Sequence, residues 1–236
     1  ATLLDPGMPF LELYGLANYM VDVADREKSV PGASALSGIG FVNGVRCMIY
    51  ASDSGIAAGA MMQKTGEKLR GCLDAALALN LPFIHLVESA GANLMKYQVE
   101  SWAHGGGGFY RLAQLSAAGI PTFVVLHGPS TAGGAYFPGM SDYVIGIKGR
   151  GRASLGGAAL VRAATGEISD EEELAGAEMH ATTTGSVEYL AEDDAHGLLM
   201  ARDVIGGLGW NNRCPKPERA PYVEPVHDPD DIAGLV

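Results

Sequence analysis

Cysteine, aromatic residues and charge are all scarce in this sequence of 236 residues. The three cysteines, Cys47, Cys72 and Cys214, stand alone without a CxxC pair, so the sequence indicates neither a metal site nor a redox motif. Because their number is odd, a disulfide framework is not expected either. We therefore expect a reducing compartment, the cytoplasm or, in a eukaryote, the mitochondrial matrix.

Long hydrophobic runs and a positive charge balance are also absent. No apolar run approaches the ~20 residues that a membrane helix needs, and the first residues do not resemble a secretory signal. The net charge of −11 repels a nucleic-acid backbone, so we expect no nucleic-acid partner. An anionic ligand would need a local cluster of basic residues.

The composition is typical of one globular α/β domain. Hydrophobic residues make up 47% and charged residues 18% of a chain that is long enough to bury a sizeable core. The 33 glycines favour a fold with many tight loops. We expect one domain over residues 1–210, and we expect residues 211–236, which are rich in proline and charge, to form a linker leading out of it.

Local patterns predict much of the secondary structure. Asn43-Gly44 between two apolar runs predicts a type I′ hairpin over residues 38–52. Helical spacing of apolar residues predicts a helix over residues 61–80. The other expected elements are strands at 142–148 and 152–155, and helices at 171–179 and 194–207.

The stretch from His127 to Asp142 is the most informative part of the chain. It follows the apolar run Phe123–Leu126, which predicts a buried strand, and the small residues at 131–135 predict a turn before a helix that begins at Tyr136. Backbone N–H groups at such a turn can hold an oxygen that gains negative charge during a reaction. The alternative is a tight turn that only packs against a neighbouring strand.

A second strand and small-residue turn precede this stretch. Phe83–Val87 predicts another buried strand, and residues 88–93 form another turn rich in small residues. The region between the two strands includes a helical pattern, so the order is β-α-β. In such sheets ligands bind beyond the carboxyl ends of the strands, where both turns would lie.

Three motifs carry a resemblance to a known family. They are ESAGANL from Glu88, AAGIPTFVVLHGPSTAGGAYFPGMSD from Ala117, and LVRAATGEISDEEELAGAEMH from Leu160. Over roughly residues 3–236, the chain resembles the carboxyltransferase (beta) subunit of biotin-dependent acyl-CoA carboxylases of the methylcrotonyl/propionyl type, in its N-terminal domain. The resemblance implies an α/β, crotonase-like fold with stacked β-sheets flanked by helices. Two departures concern acyl specificity: Glu88-Ser89-Ala90 replaces the usual Asp-Ser-Gly, and residues 56–68 are rich in methionine.

The resemblance also implies the chemistry. Such a domain moves a carboxyl group from carboxybiotin to the α- or γ-carbon of an acyl-CoA, and it stabilises the enolate oxygen with backbone amides. The implied catalytic residues are Ala90, Gly91, Gly133 and Gly134. The implied substrate-binding residues are Ser89, Ala92, Ala135, Tyr136, Phe137, Lys64 and Lys68. No metal is expected.

Cofactor and partners follow from the same resemblance. Biotin would arrive on a carrier domain, CoA would be part of the substrate, and the chain would work with biotin carboxyl carrier and biotin carboxylase components. We expect a homologous C-terminal carboxyltransferase half, so that this chain is a fragment or one half of a longer polypeptide. A homo-oligomer built from dimers, up to a hexamer, is expected.

Several residues allow a second interpretation. Lys64, Lys68 and Arg70 can meet CoA phosphates or form a solvated helix face, and Tyr136 and Phe137 can contact an acyl chain or the core. We expect His180 to have a structural role.

A hydrolase is a further alternative. Ser130 could be a nucleophile, but its surroundings lack the G-x-S-x-G elbow. Glu88 could act as the base of a stand-alone hydratase or hydrolase. A decarboxylase subunit of related build and a non-catalytic scaffold that binds CoA remain the other candidates.

Overall fold

The computed structural model describes residues 3–21, 23–93, 99–100, 103, 107–213, 223 and 226–228. Eight strands lie in these ranges: β1 Leu11–Glu12, β2 Ala35–Val42, β3 Val45–Ser52, β4 Phe83–Ser89, β5 Thr122–Thr131, β6 Tyr143–Ile147, β7 Arg152–Ser154 and β8 Tyr189–Ala191. The helices of the same ranges are α1 Gln63–Leu79, α2 Gly107–Ala117, α3 Tyr136–Met140, α4 Ala158–Thr165, α5 Glu171–Ala175, α6 Ala177–Met179 and α7 Asp194–Gly207.

These strands form one connected sheet with the order β1-β2-β3-β4-β5-β6-β8. The pairs β1–β2 and β2–β3 are antiparallel, and the pairs from β3 through β8 are parallel. Strand β7 pairs with the end of β5, beyond the residues that pair with β6. The expected stacked sheets therefore appear, in the described ranges, as one sheet with a branch at β7, while the predicted β-α-β order is confirmed.

Helices cover both faces of the sheet. Tyr50, His85 and Val124 occupy one register row across β3, β4 and β5, and the Tyr50 hydroxyl donates to the Thr65 carbonyl of α1 at 3.3 Å. Side chains alternate along a strand, so the residues next to this row face the other side. There α7 packs against Ile145 and Ile147 of β6. The buried core therefore lies on both sides of the sheet.

The predicted hairpin is confirmed in detail. Val42 pairs with Val45, and Asn43 and Gly44 have φ values of 48° and 78°, as a type I′ turn requires. The Asp5 carboxylate accepts the Asn43 and Gly44 N–H groups at 2.8 and 2.7 Å. The N-terminal segment is thereby tied to the hairpin.

Other elements differ from the sequence predictions. The helix expected at 171–179 is interrupted at Gly176, whose ψ of 146° is extended. Strand β5 continues to Thr131, past its predicted end, because the chain pairs with β7 there. Helix α4 was not predicted; it leaves none of its residues buried and so lacks a strong core-facing pattern.

The expected linker begins later than residue 211. Trp210 is buried and its indole N–H donates to the Asn80 carbonyl at 2.8 Å. The Asn211 side chain accepts the Arg46 N–H at 3.3 Å, and the Arg213 carbonyl accepts a hydrogen bond from Asn80. Residues 211–213 therefore belong to the domain. Most of the predicted linker, with Cys214, lies outside the described residues, while Cys47 and Cys72 are buried thiols.

Candidate active site

The two predicted turns meet at the carboxyl end of β4 and β5. Val87 pairs with Leu126, and the next pair is Ser89 with Ser130. Strand β4 advances by two residues between these pairs and β5 by four, so β5 contains a bulge. The bulge brings the segment that follows Ser130 beside the turn that follows Ser89.

A third segment lies against the first turn, a contact that the sequence did not predict. The Ala90 N–H donates to the Ala58 carbonyl at 3.0 Å, and the Met61 N–H donates to the Gly91 carbonyl at 2.7 Å. Met61 also forms an isolated parallel bridge with Ala92. In the sequence it is marked by the small-residue run Ala57-Ala58-Gly59-Ala60, and it overlaps the methionine-rich stretch at 56–68.

The three segments approach one another closely. A β-carbon on Gly91, whose φ is 80°, would lie 2.8 Å from the Thr131 carbonyl oxygen. A β-carbon on Gly134 would lie 3.1 Å from both the β-carbon and the carbonyl oxygen of Ser89. Glycine is required at Gly91 by its positive φ and by this contact.

Backbone strain is present at the same place. Ala57, Ala58 and Ala132 have φ values of 49°, 53° and 52°, which disfavour any residue with a β-carbon. Such conformations cost on the order of 1–3 kcal/mol each and cluster at functional sites. All three alanines border the meeting point of the turns.

Two of the four predicted catalytic amides are engaged inside the chain. The Ala90 N–H donates to the Ala58 carbonyl and the Gly91 N–H donates to the Ser89 hydroxyl at 3.2 Å. Both amides therefore have acceptors within the chain, Ala58 of the third segment for Ala90 and Ser89 for Gly91, and their role in the reaction stays a prediction.

The other turn provides a better donor. Residues Ala132–Ala135 form a 3₁₀ turn directly after β5, in which Gly133 and Gly134 are buried. Gly133 is the second residue of this turn. An N–H group at this position has no carbonyl acceptor within the turn. Gly133 is therefore the candidate donor toward a ligand oxygen.

An apolar cavity of about 520 Å³ adjoins this turn. Its wall includes Leu126, Ala135, Tyr136, Met140, Leu155 and Val187. Tyr136 is 47% exposed, and its ring lies 5.0 Å from the ring of Phe109. The cavity thus has the lining expected for an aliphatic group, and Ala135 joins it to the turn that contains Gly133.

Phe137 does not line this cavity. It is buried, and its ring lies 4.6 Å from the His85 imidazole and 5.6 Å from Phe109. Of the two interpretations of Phe137, the core contact is the one that the structure shows.

Ser89 is also placed differently from the prediction. It is 3% exposed, and its hydroxyl donates to the Gly59 carbonyl at 2.8 Å. It therefore contacts backbone in the described chain, whereas substrate contact was expected. Ala92 is half-buried in its bridge with Met61.

The predicted basic cluster is wrong at Lys68. This side chain is 1% exposed, and its ammonium donates to the Gly32 and Ala35 carbonyls at 3.2 and 2.6 Å. Burial lowers the pKa of Lys68, although the nearby Cys72 and Glu12 oppose that change. Lys64 remains half-exposed and pairs with Glu67 at 2.7 Å. Arg70 lies where α1 meets α2, with its side chain against Gly107.

Among the described residues, no base forms a hydrogen bond with Ser130. It is 1% exposed, and its hydroxyl oxygen has no hydrogen-bond partner in the part of the chain that is described. His127, the nearby histidine in sequence, faces the Glu88 carboxylate at 3.9 Å. Burial lowers the pKa of His127, while Glu88 and Asp194 oppose this and Arg150 reinforces it. The geometry does not assemble a serine hydrolase.

His180 is held by its own surroundings. One ring nitrogen lies 2.8 Å from the Ala153 carbonyl and the other 3.0 Å from the Thr184 hydroxyl. Both nitrogens are thus engaged, as the structural role predicted for His180 requires. In the described ranges no three His, Cys, Asp or Glu side chains form a metal-binding group, and no helix there could cross a membrane.

Sheet, bulge and paired turns define an α/β domain whose small-residue turns meet at the carboxyl ends of two central strands, and the sequence comparisons identify the family. The chain belongs to the carboxyl transferase domain family, which matches residues 1–236. It is 44% identical over 234 residues to the probable biotin-dependent acyl-coenzyme A carboxylase beta2 subunit of Mycobacterium tuberculosis, covering 99% of this chain and 42% of that protein. It is 38% identical over 237 residues to the mitochondrial methylcrotonoyl-CoA carboxylase beta chain of Dictyostelium discoideum, covering 99% and 40%.

Solved structures show the same similarity. The geranyl-CoA carboxylase beta subunit of P. aeruginosa superposes with a TM-score of 0.83 at 42% identity, over all of this chain and 42% of that one. The transcarboxylase 12S hexamer with hydrolysed methylmalonyl-coenzyme A superposes with a TM-score of 0.80 at 27% identity, over 96% and 43%. The predicted family and crotonase-like fold are confirmed, and the chain spans about two fifths of the length of these relatives.

Proposed function

We propose that this chain is the acyl-CoA-binding part of a biotin-dependent carboxyltransferase. The observation that carries the proposal is the turn at Ala132–Ala135 directly after β5, which contains the Gly133 amide and whose last residue, Ala135, lines an apolar cavity. The substrate is an acyl-CoA whose thioester oxygen meets this amide and whose acyl chain enters the cavity. Family membership supports the reaction, and the cavity supports an apolar acyl group.

The chain's residues supply position and charge stabilisation. Carboxybiotin, when bound, supplies the carboxyl group and a basic ureido nitrogen that takes a proton from the acyl group. The Gly133 N–H stabilises the thioester oxygen as it becomes an enolate. Ala135 and Tyr136 hold the acyl chain against the cavity wall and keep water from the reacting carbon.

Partners and compartment follow as part of the same proposal. Biotin arrives on a carrier component that a biotin carboxylase has loaded, and a second, homologous carboxyltransferase half completes the site. The hexamer named for the transcarboxylase neighbour supports a homo-oligomer. The cytoplasm, or the mitochondrial matrix of a eukaryote, is the compartment in which Cys47 and Cys72 stay reduced.

The proposed direction is carboxylation. A decarboxylase subunit would use the same amide and cavity in reverse, so an assay of both directions separates the two. A stand-alone hydratase based on Glu88 is disfavoured because this side chain packs on Gly128 and faces His127. A scaffold without activity would still bind acyl-CoA but would not turn it over.

The test compares Gly133→Pro with Gly133→Ala in the complete carboxyltransferase assembly that contains this chain. Proline is tolerated in the first turn of a helix but removes the N–H, whereas alanine keeps it. We expect Gly133→Pro to lower kcat by about 10²–10³-fold, the effect of losing one oxyanion donor. The alanine variant measures the cost of the β-carbon alone. A kcat for folded Gly133→Pro that equals that of Gly133→Ala would exclude this amide from the reaction.

A further inference from the structure

Ser89 lies where the three segments of the candidate site come together. It is the last residue of β4, and Gly59, Gly91 and Gly134 each belong to a different one of these segments. The Ser89 side chain contacts or closely approaches all three.

The Ser89 hydroxyl uses both of its hydrogen-bonding capacities on backbone. It donates to the Gly59 carbonyl at 2.8 Å and accepts the Gly91 N–H at 3.2 Å. At 3% exposure it has little access to water that could replace these bonds. Loss of the hydroxyl would leave a buried carbonyl and a buried amide without their partner.

The same side chain sets the position of the Gly133–Gly134 turn. A β-carbon on Gly134 would come within 3.1 Å of the Ser89 β-carbon and 3.5 Å of its hydroxyl oxygen, so the turn rests directly on Ser89. The Gly91 side of the contact is equally tight, because Gly91 abuts the Thr131 carbonyl at the start of that turn. A shift of Ser89 would therefore move the Gly133 amide.

We propose that Ser89 is a positioning residue for carboxyl transfer that does not touch the substrate. Its hydroxyl holds Gly91, which abuts the Thr131 carbonyl just before the turn, and thereby keeps the Gly133 amide in place. This inference rests on the proposed function of Gly133. It differs from the role suggested by the sequence, in which Ser89 contacts the acyl-CoA.

The chain contains a matched control for this residue. Ser130 pairs with Ser89 in the β4–β5 register, is 1% exposed, and has no described partner for its hydroxyl. Ser89→Ala and Ser130→Ala each delete one buried oxygen at the same register position of the sheet. Of the hydrogen bonds described, only those of Ser89 are lost.

The experiment measures kcat and KM per folded active site in the complete assembly for Ser89→Ala, Ser89→Cys and Ser130→Ala. We expect Ser89→Ala to lower kcat by about tenfold to a hundredfold with little change in KM, since displacement of a reacting group by about 1 Å costs up to that much. Ser89→Cys keeps the size and a weak hydrogen-bonding group, so we expect an intermediate kcat. Ser130→Ala is expected to keep the wild-type kcat. Should Ser89→Ala not fold, the cysteine variant carries the comparison.

A double variant shows whether Ser89 acts through Gly133. If it does, adding Gly133→Pro to Ser89→Ala costs much less than the product of the two single losses, because the amide that Ser89 positions is already gone. Independent, multiplicative losses would overturn the proposal, as would wild-type kcat in folded Ser89→Ala. A loss in Gly133→Pro without one in Ser89→Ala would reject the positioning role alone, whereas full activity of Gly133→Pro would reject the proposed function beneath it.

Discussion

Ser89 and Ser130 are neighbours in register across β4 and β5 and are both buried, yet their hydroxyl groups have opposite hydrogen-bonding states. Ser89 bonds two backbone groups, whereas no described partner reaches the Ser130 hydroxyl. The third segment explains the difference, because its Gly59 carbonyl lies within hydrogen-bond distance of the Ser89 hydroxyl. The pair supplies an internal comparison for the predictions that follow.

Ser130→Ala should be neutral or mildly stabilising. A buried hydroxyl without a hydrogen bond destabilises the fold by its desolvation cost, about 1–3 kcal/mol, because no hydrogen bond offsets it. We therefore expect urea denaturation to give an unfolding free energy equal to or above that of the wild type, with activity kept in the complete enzyme. A loss of activity beyond about a thousandfold, the scale of losing a triad member, would support the hydrolase alternative instead.

Gly91→Ala should lower stability more than Gly166→Ala does. Both glycines have similar positive φ values, 80° and 78°, but a β-carbon on Gly91 meets the Thr131 carbonyl while one on Gly166 meets open space. Gly166→Ala should lower the unfolding free energy by about 1–2 kcal/mol, because alanine disfavours the left-handed conformation by that amount. Denaturant titration gives the unfolding free energy of each variant, and the difference between the two losses measures the contact of Gly91 with the Thr131 carbonyl. Equal losses of unfolding free energy would show that the turns are not closely packed.

His85 should make stability depend on pH. Burial, and to a smaller extent His127, lowers its pKa from 6.5 to about 3. The unfolded chain binds a proton below pH ~6.5 and the folded chain does not, so this stability is complete above that pH and is lost as the pH falls. We expect His85 to account for about 2 kcal/mol of the decrease between pH 8 and pH 5.

The variant His85→Phe isolates this effect. Phenylalanine can keep the edge contacts with Tyr50 and Phe137, and it loses the 3.2 Å hydrogen bond to Ser52. Urea unfolding at both pH values should show a smaller decrease for His85→Phe than for the wild type. The same decrease in both proteins would mean that His85 is accessible to protons in the folded state.

Asp5→Asn should be strongly destabilising for a residue so near the N-terminus. Its carboxylate accepts the Asn43 and Gly44 amides and pairs with Arg202 at 2.8 Å. Burial opposes ionisation, but these three partners prevail and lower the pKa of Asp5. We expect a cost of about 1.5–3 kcal/mol, typical of hydrogen bonds to a charged group.

Asp25→Asn is the matched control for Asp5. Asp25 pairs with Lys28 at 3.5 Å on the exposed surface, where such pairs contribute roughly 0–1 kcal/mol. The ionised form of Asp5 stabilises the fold at pH values above its unfolded pKa, and the effect disappears as the pH falls through the lower folded value. Thermal melts at pH 7 should therefore give a lower melting temperature for Asp5→Asn than for Asp25→Asn. Similar melting temperatures would show that the contacts of Asp5 with Asn43, Gly44 and Arg202 do not stabilise the fold.

The sequence was sufficient wherever local chemistry decides the conformation. Asn43-Gly44 accepts positive φ at both positions and so determines the hairpin. Asp193 opens α7 as an N-cap that accepts the His196 N–H. Apolar runs predicted β4 and β5, and small residues marked where both end.

Tertiary structure alone decided which polar groups are free. The Ala90 N–H donates to the Ala58 carbonyl, more than thirty residues earlier, and therefore has its acceptor within the chain. The Lys68 ammonium is buried, where it donates to the Gly32 and Ala35 carbonyls. Neither partner is detectable from periodicity, because hydrogen bonds between distant backbone groups leave no local pattern. Residue types and spacing determined the family, the β-α-β order and the glycine turns. The register shift between β4 and β5 and the approach of the segment at 57–61 decided how these turns meet, because a bulge re-aims the backbone that follows it.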